Sequence, residues 1–200
     1  MTMTTEKNEQ LLRLLSATGA GDRRAFSRLY KETAPYLYAV AIRMVNRRAA
    51  AEDVLQDAFV QVWHRAGDYH AQRGSVIGWM TALVRYRAID RLRKRQSAAP
   101  IDEDTLTSAA GLLGSTSADD TAMSTAVASE DADYLNKCVA RLSGSQRQSV
   151  ALAFFRGLTH AELAPRLALP LGTVRSRLRR SLKRLKECLD DLGYYNELST

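Results

Sequence analysis

Seven arginines and lysines fall between Arg175 and Lys186, with no aspartate or glutamate among them. Side chains of this type and density do not make or break bonds. They pair with phosphate oxygens and, where a guanidinium can reach two acceptors at once, with base edges. An ordinary exposed helix face mixes charge signs, and this stretch does not, which favours a nucleic-acid surface over a merely solvated one. Ser176, Arg179, Arg180 and Lys183 share one side of the expected helix, with Arg175, Arg177 and Arg184 at its margins. Val174, Leu178, Leu182 and Leu185 recur at steps of three and four and form the expected buried stripe behind them.

The elements that must present these groups can be read just upstream. Thr159 and Glu162 have capping-box spacing and predict a short helix ending near Ala168. Leu169-Pro170-Leu171-Gly172 leaves room only for a tight corner, and Thr173–Lys186 reads as a second helix. A short helix, a corner and a helix apolar behind and basic in front make a helix-turn-helix. The second helix of such a motif enters the major groove, and its N-terminal residues, from Thr173 on, reach base edges.

The rest of the chain is also helical in pattern. Leu11, Leu12, Leu14 and Leu15 predict a first short helix closed by Gly19-Ala20-Gly21. Asp22 caps a second, Arg23–Thr33, and Pro35 suits the first turn of a third that runs to about Arg47. Ala49–Arg65 follows, with Val54, Leu55, Ala58, Phe59, Val62 and Trp63 inside and Glu52, Asp53, Gln56 and Asp57 on the other side. Beyond a polar loop at 70–75, Ser75 caps a helix to Gln96, in which Val76, Met80, Val84, Ala88 and Leu92 step by four. Helices resume near Asp131, break at Ser143-Gly144-Ser145, and resume from Gln146 to Arg156. No alternating apolar pattern is long enough for a strand. The expected fold is all-α, a helical bundle over 1–96 and a four-helix unit over 134–200.

Charge divides the chain in the same places. Residues 1–96 carry 17 basic and 9 acidic side chains (+8), residues 97–133 none and 8 (−8), and residues 134–200 12 and 5 (+7). Two basic blocks point to two nucleic-acid contacts. The Ala-, Ser-, Thr- and Asp-rich middle has linker composition, either a plain tether or an imitation of nucleic-acid charge that occupies a basic channel. The three histidines are scattered, no glycine-rich phosphate loop is present, and Cys138 and Cys188 lack metal-ligand spacing, so neither an enzyme, a cofactor nor a metal site is expected. No apolar run approaches a membrane span and Met1–Gln10 is not signal-like, so a cytoplasmic setting is expected.

The order of these segments closely resembles the extracytoplasmic-function subfamily of bacterial RNA polymerase sigma factors. The likeness runs through GDRRAFSRLY (21–30), AEDVLQDAFVQVW (51–63), GWMTALVRYRAIDRLRKR (78–95) and GLTHAELAPRLALPLGTVRSRLRRSLKRLKE (157–187). It implies that 1–96 docks on core RNA polymerase, melts DNA and reads the −10 element, that 134–200 reads the −35 element, and that the linker threads the polymerase's active-centre and RNA-exit path. By that resemblance Glu52, Asp53, Gln56 and Asp57 contact polymerase. Trp79 and Tyr86, with Arg85, Arg87 and Arg91 beside them, hold single-stranded bases, which need aromatic faces next to cations. Arg175, Ser176, Arg179 and Arg180 match the base- and backbone-contacting positions of the recognition helix. Control by an anti-sigma factor, often membrane-anchored, is implied too.

Three residues depart from the family pattern: Tyr86 stands where Asn is frequent, Ala168 replaces the usual Gly after the first helix of the motif, and Pro165 lies inside that helix. Two other classes compete with this assignment. A stand-alone LuxR-type regulator would bind duplex DNA without polymerase, and would be expected to carry strands in its N-terminal half. A helical adaptor would not need the basic face at 175–186. Cys138 and Cys188 sit on the core sides of the first and last helices of the C-terminal unit. They are either two buried thiols or, if those helices pack together, a disulfide that works as a redox switch.

Overall fold

The computed structural model describes residues 3–96 and 130–192, so the expected acidic linker falls outside the described residues up to Ser129. Every regular element among them is helical: α1 (Met3–Gly19), α2 (Arg23–Val45), α3 (Arg48–Arg65), α4 (Val76–Gln96), α5 (Glu130–Ala140), α6 (Gly144–Phe155), α7 (His160–Arg166) and α8 (Leu171–Asp191), with short 3-10 turns at Ala66–Asp68 and Ala71–Arg73. Helices α1–α4 and α5–α8 belong to two separate compact units. Helix α5 begins at Glu130, one residue before Asp131, near which helix is expected to resume.

In the first unit α1, α2 and α3 pack on one another. Asp22 caps α2 as expected, its Oδ1 accepting from the N–H groups of Arg24 (2.7 Å) and Ala25 (3.1 Å). The predicted break at Pro35 does not occur, because Arg23–Val45 is one helix with Pro35 inside it. Pro35 is exposed, and the buried residues on either side of it, Leu29, Thr33, Leu37 and Ala41, step by four without losing phase. One missing N–H on the solvent side is outweighed by an unbroken apolar seam. Phe26 joins α2 to α3 edge-on against Phe59 (6.1 Å between centroids) and Trp63 (5.3 Å). Gly19 lets the end of α1 approach the 66–68 turn, since a Cβ there would lie 3.3 Å from the Gly67 nitrogen.

Helix α4 keeps its predicted register: Val76, Met80, Val84 and Ala88 are all fully buried. Ser75 caps it through Oγ, which accepts from Gly78 N–H at 3.2 Å.

In the second unit α8 packs on α5, α6 and α7. Ser143 is the N-cap of α6, not part of a break: its Oγ accepts from Gln146 N–H (3.3 Å) while Gln146 Oε1 accepts from Ser143 N–H (3.0 Å). This is the capping box a Ser-x-x-Gln spacing encodes. Cys138 on α5 and Cys188 on α8 form a disulfide, with Cα atoms 5.6 Å apart. It ties the first helix of the unit to the last, with Val139 and Leu142 buried around it.

Candidate nucleic-acid interface

The helix-turn-helix is built as its caps require. Thr159 Oγ1 accepts from Glu162 N–H (3.3 Å) and Glu162 Oε2 accepts from Thr159 N–H (2.7 Å), so α7 starts where the sequence places it. It ends at Arg166, one residue beyond Pro165, and closes with Ala168 N–H on Pro165 O (3.2 Å) and Leu169 N–H on Ala164 O (2.9 Å). That pair of bonds needs a left-handed residue between them, and Ala168 supplies it at φ 51°. The corner is shorter than expected, because α8 already begins at Leu171 behind Pro170. It also runs further, to Asp191.

The buried seam of α8 keeps Val174 and Leu178 of the expected stripe, while Leu185 is only half-buried and Leu182 leaves the seam. Val174, Leu178, Ser181 and Cys188 are buried, whereas Leu182 is 57% exposed. The seam follows alternating steps of four and three, and Leu182 lies one residue past it. Ser181 is small enough for close helix contact and satisfies its hydroxyl locally, donating to Arg177 O at 2.8 Å.

On the outer side Arg175, Arg179, Arg180 and Lys183 are exposed, and Thr173 and Ser176 are half-buried. Ser176 Oγ donates to Thr173 O (3.0 Å), and Arg180 Nε donates back to Ser176 O (3.3 Å), which orders the first two turns. Lys183 lies 3.5 Å from Glu187. Arg184 is exposed and reaches α6, donating to Gln146 Oε1 at 3.3 Å. The unsatisfied N–H groups at the start of α8 add positive potential where the arginines cluster.

The second basic helix, α4, is furnished differently. Tyr86 is 78% exposed, the most open large hydrophobic side chain among the described residues. Trp79 is half-buried, its ring edge-on to Tyr69 at 5.9 Å, so it serves the loop as well as the surface. Tyr69 was not singled out in the sequence. Its hydroxyl donates to Gly74 O (2.7 Å), closing the loop at 70–75 just before α4, and burial raises its phenol above the usual value. Arg85 and Arg87 are half-buried, and burial lowers the Arg85 guanidinium from its usual value. Arg91 is exposed and donates to Asp53 Oδ2 of α3 at 2.6 Å. Glu52, Gln56 and Asp57 are exposed on α3, with Val60 open beyond them.

Among the described residues no cluster of His, Cys, Asp and Glu could hold a metal ion, and no helix is long and apolar enough to cross a membrane.

Known proteins share this organisation. The Sigma-70 region 2 family model matches residues 29–98 and the Sigma-70 region 4 model residues 138–187. The chain is 32% identical to the ECF RNA polymerase sigma factor SigK of Mycobacterium ulcerans over 95% of its own length and 99% of that protein's. It is 30% identical to SigK of Mycobacterium tuberculosis over the same shares. Among solved structures it is similar to Rhodobacter sphaeroides SigE, crystallised in complex with the anti-sigma ChrR, at 32% identity over 90% of this chain and 98% of that one, with a TM-score of 0.45.

Proposed function

Since the chain belongs to the extracytoplasmic-function RNA polymerase sigma factors, it is an initiation factor and not an enzyme, and we propose that its two helical units divide promoter recognition between them. It binds core RNA polymerase and directs promoter-specific transcription initiation. In this division α8 reads the −35 duplex, through Thr173, Arg175, Ser176, Arg179, Arg180 and Lys183. Helix α4 takes the melted −10 strand, with Trp79 and Tyr86 against bases and Arg87 and Arg91 against phosphates. Glu52, Gln56 and Asp57 on α3 dock on polymerase. The observation that carries the reading is the contrast between the two basic helices, one with a widely exposed aromatic ring and one with no aromatic residue but a dense set of outward cations. Single strands offer ring faces to stack on, whereas a duplex offers only edges and phosphates.

Control by an anti-sigma factor in the cytoplasm is part of the same reading. Each unit leaves apolar side chains open: Tyr30 and Val60 in the first, Leu135, Phe154 and Leu182 in the second. An anti-sigma factor would cover these positions on binding. A stand-alone LuxR-type regulator is not favoured, because the first half of the chain matches sigma region 2 and holds no strand among its described residues.

The test is to recover the tagged chain with core polymerase and sequence the DNA retained with it. Paired motifs at a fixed spacing support the division of labour. A single duplex motif, bound equally well without polymerase, would overturn it.

A further inference from the structure

Helix α1 ends at Gly19, before the match to Sigma-70 region 2 begins at residue 29, yet it holds both ends of the loop that leads into α4. At one end Gly19 lies against the 66–68 turn, where a Cβ would come within 3.3 Å of the Gly67 nitrogen and 3.5 Å of the Ala66 Cβ. At the other end Asn8 Oδ1 accepts from Val76 N–H at 3.3 Å, a bond between residues 68 positions apart. Val76 is the first residue of α4, and its N–H is one that a helix cannot satisfy from within. Between these two points the loop stands off α1 across a cleft of about 470 Å³, lined by Leu12, Leu15 and Ser16 on one side and Tyr69, His70 and Gln72 on the other. Trp79 sits in the turn that Asn8 fixes. Its N–H donates to Ser75 O at 3.0 Å, and its ring meets Tyr69 of the loop edge-on at 5.9 Å. At 100° per residue Tyr86 falls within about 20° of Trp79, so the two rings form one line along α4.

We propose that Asn8 is a positioning residue for −10 recognition: by accepting from Val76 N–H it fixes the first turn of α4 on α1, and with it the place of the Trp79 ring on the melted strand. Stacking depends on the tilt and offset of a ring, so a first turn free to fray would offer Trp79 in many positions and weaken the contact. The local cap, Ser75, reaches Gly78 N–H and leaves Val76 N–H to Asn8. The loop does not take over this task, because the cleft separates it from α1 between its two ends. Asn8 is half-buried and lies outside the apolar core, so its loss leaves the helix packing in place. Alanine is also the better helix former, so α1 itself is not weakened by Asn8→Ala. What the position requires is an acceptor. Aspartate supplies one as well, and its charge suits a helix N-terminus. The inference rests on Trp79 meeting the melted strand.

The experiment uses the full chain with core polymerase and fork-junction DNAs in which each single-stranded −10 position in turn is made abasic. Retention is measured at a temperature where circular dichroism shows every variant folded. Each abasic site carries a penalty relative to the intact fork, and Trp79→Ala identifies the position whose penalty depends on that ring. Asn8→Ala should shrink the penalty at that position about three- to five-fold and leave the others as they are. Asn8→Asp should restore it, and both Asn8 variants should bind core polymerase as the wild type does. A merely structural Asn8 predicts something else: fewer competent molecules lower retention on every fork by one factor and leave each penalty unchanged. That outcome would overturn the proposal, as would a penalty that Asn8→Asp does not restore. Unaltered penalties in Trp79→Ala would defeat the placement of the strand, and the proposal with it. A changed penalty in Trp79→Ala with none in Asn8→Ala would defeat the role of Asn8 alone.

Discussion

Helices α4 and α8 are both 21 residues long, both basic and both buried along one side, yet they are prepared for different forms of DNA. Helix α4 exposes a tyrosine ring and has a second aromatic braced against a loop, and its arginines stand off that aromatic line. Helix α8 has no aromatic residue at all, and its outer side is dominated by arginine and lysine with Thr173 and Ser176 at its start. Their supports differ as well. Helix α4 belongs to a unit held by long helices and an aromatic seam, whereas α8 closes a smaller unit whose first and last helices are joined by a disulfide. A small core provides little surplus stability, so the second unit has more to lose from one broken link.

The largest expected effect tests that difference in support. The Cys138–Cys188 bridge closes a loop with a sequence separation of 50. In the chain-entropy picture a loop of that size constrains the unfolded state by about 4 kcal/mol. Reductant should therefore lower the unfolding midpoint of α5–α8 and leave that of α1–α4 in place, and Cys138→Ser should match the reduced protein under both conditions. A loosened second unit should also hold −35 DNA or an anti-sigma partner less tightly. Calorimetry with and without reductant decides it: one common midpoint for all samples would leave the cysteines as packing residues only.

Next in size is the aromatic line. Tyr86→Ala should cost about 1–3 kcal/mol for each base that stacks on the ring, read as loss of fork-junction retention. Duplex −35 binding should not change, and Tyr86→Phe should keep most of the retention. Equal losses on both DNA forms would erase the contrast between the helices.

The matching substitution on α8 is Arg180→Ala. Its guanidinium is tied to the backbone in the third turn of α8, through Nε to Ser176 O. A bidentate base contact predicts a cost of about 1–3 kcal/mol, confined to promoters with the preferred upstream base. Uniform weakening on every upstream sequence would make it a phosphate contact, and no change on any sequence would remove it from the interface.

Much of this was legible in the sequence because it is encoded locally. Asp22, Ser75 and the Thr159–Glu162 pair announce helix starts through short-range hydrogen bonds, and the structure forms each of them. The step-of-four register of Val76, Met80, Val84 and Ala88 identified the buried side of α4. Where the sequence misled, a longer-range balance decided. Pro35 carries a local break signal, but the seam from Leu29 to Ala41 continues through it. Leu182 is the more apolar residue, yet Ser181 occupies the buried place because the seam's phase selects position before hydrophobicity. Contacts between distant segments had no local signature at all. Arg91 with Asp53, Tyr69 with Trp79, and Arg184 with Gln146 join residues whose proximity only folding creates.

The smallest expected effect concerns the corner before α8. Ala168 has φ 51°, a conformation its Cβ disfavours, and it is exposed, so no packing repays the strain. A left-handed backbone costs an ordinary L-residue roughly 1–2 kcal/mol, which Gly escapes. Gly in turn gives the unfolded chain more freedom, which takes back about 0.4–1 kcal/mol. Ala168→Gly should therefore stabilise the second unit by between about 0 and about 1.6 kcal/mol, at about 4–8 °C of midpoint per kcal/mol in a domain of this size. Because residue 168 precedes α8 and lies off its outer side, −35 binding should stay as it is. Ala168→Val supplies the opposite arm, since a β-branched side chain is far less tolerant of this region and should lower the midpoint. A lower midpoint for Gly than for Ala would mean that unfolded-state entropy outweighs the relief of strain at this corner.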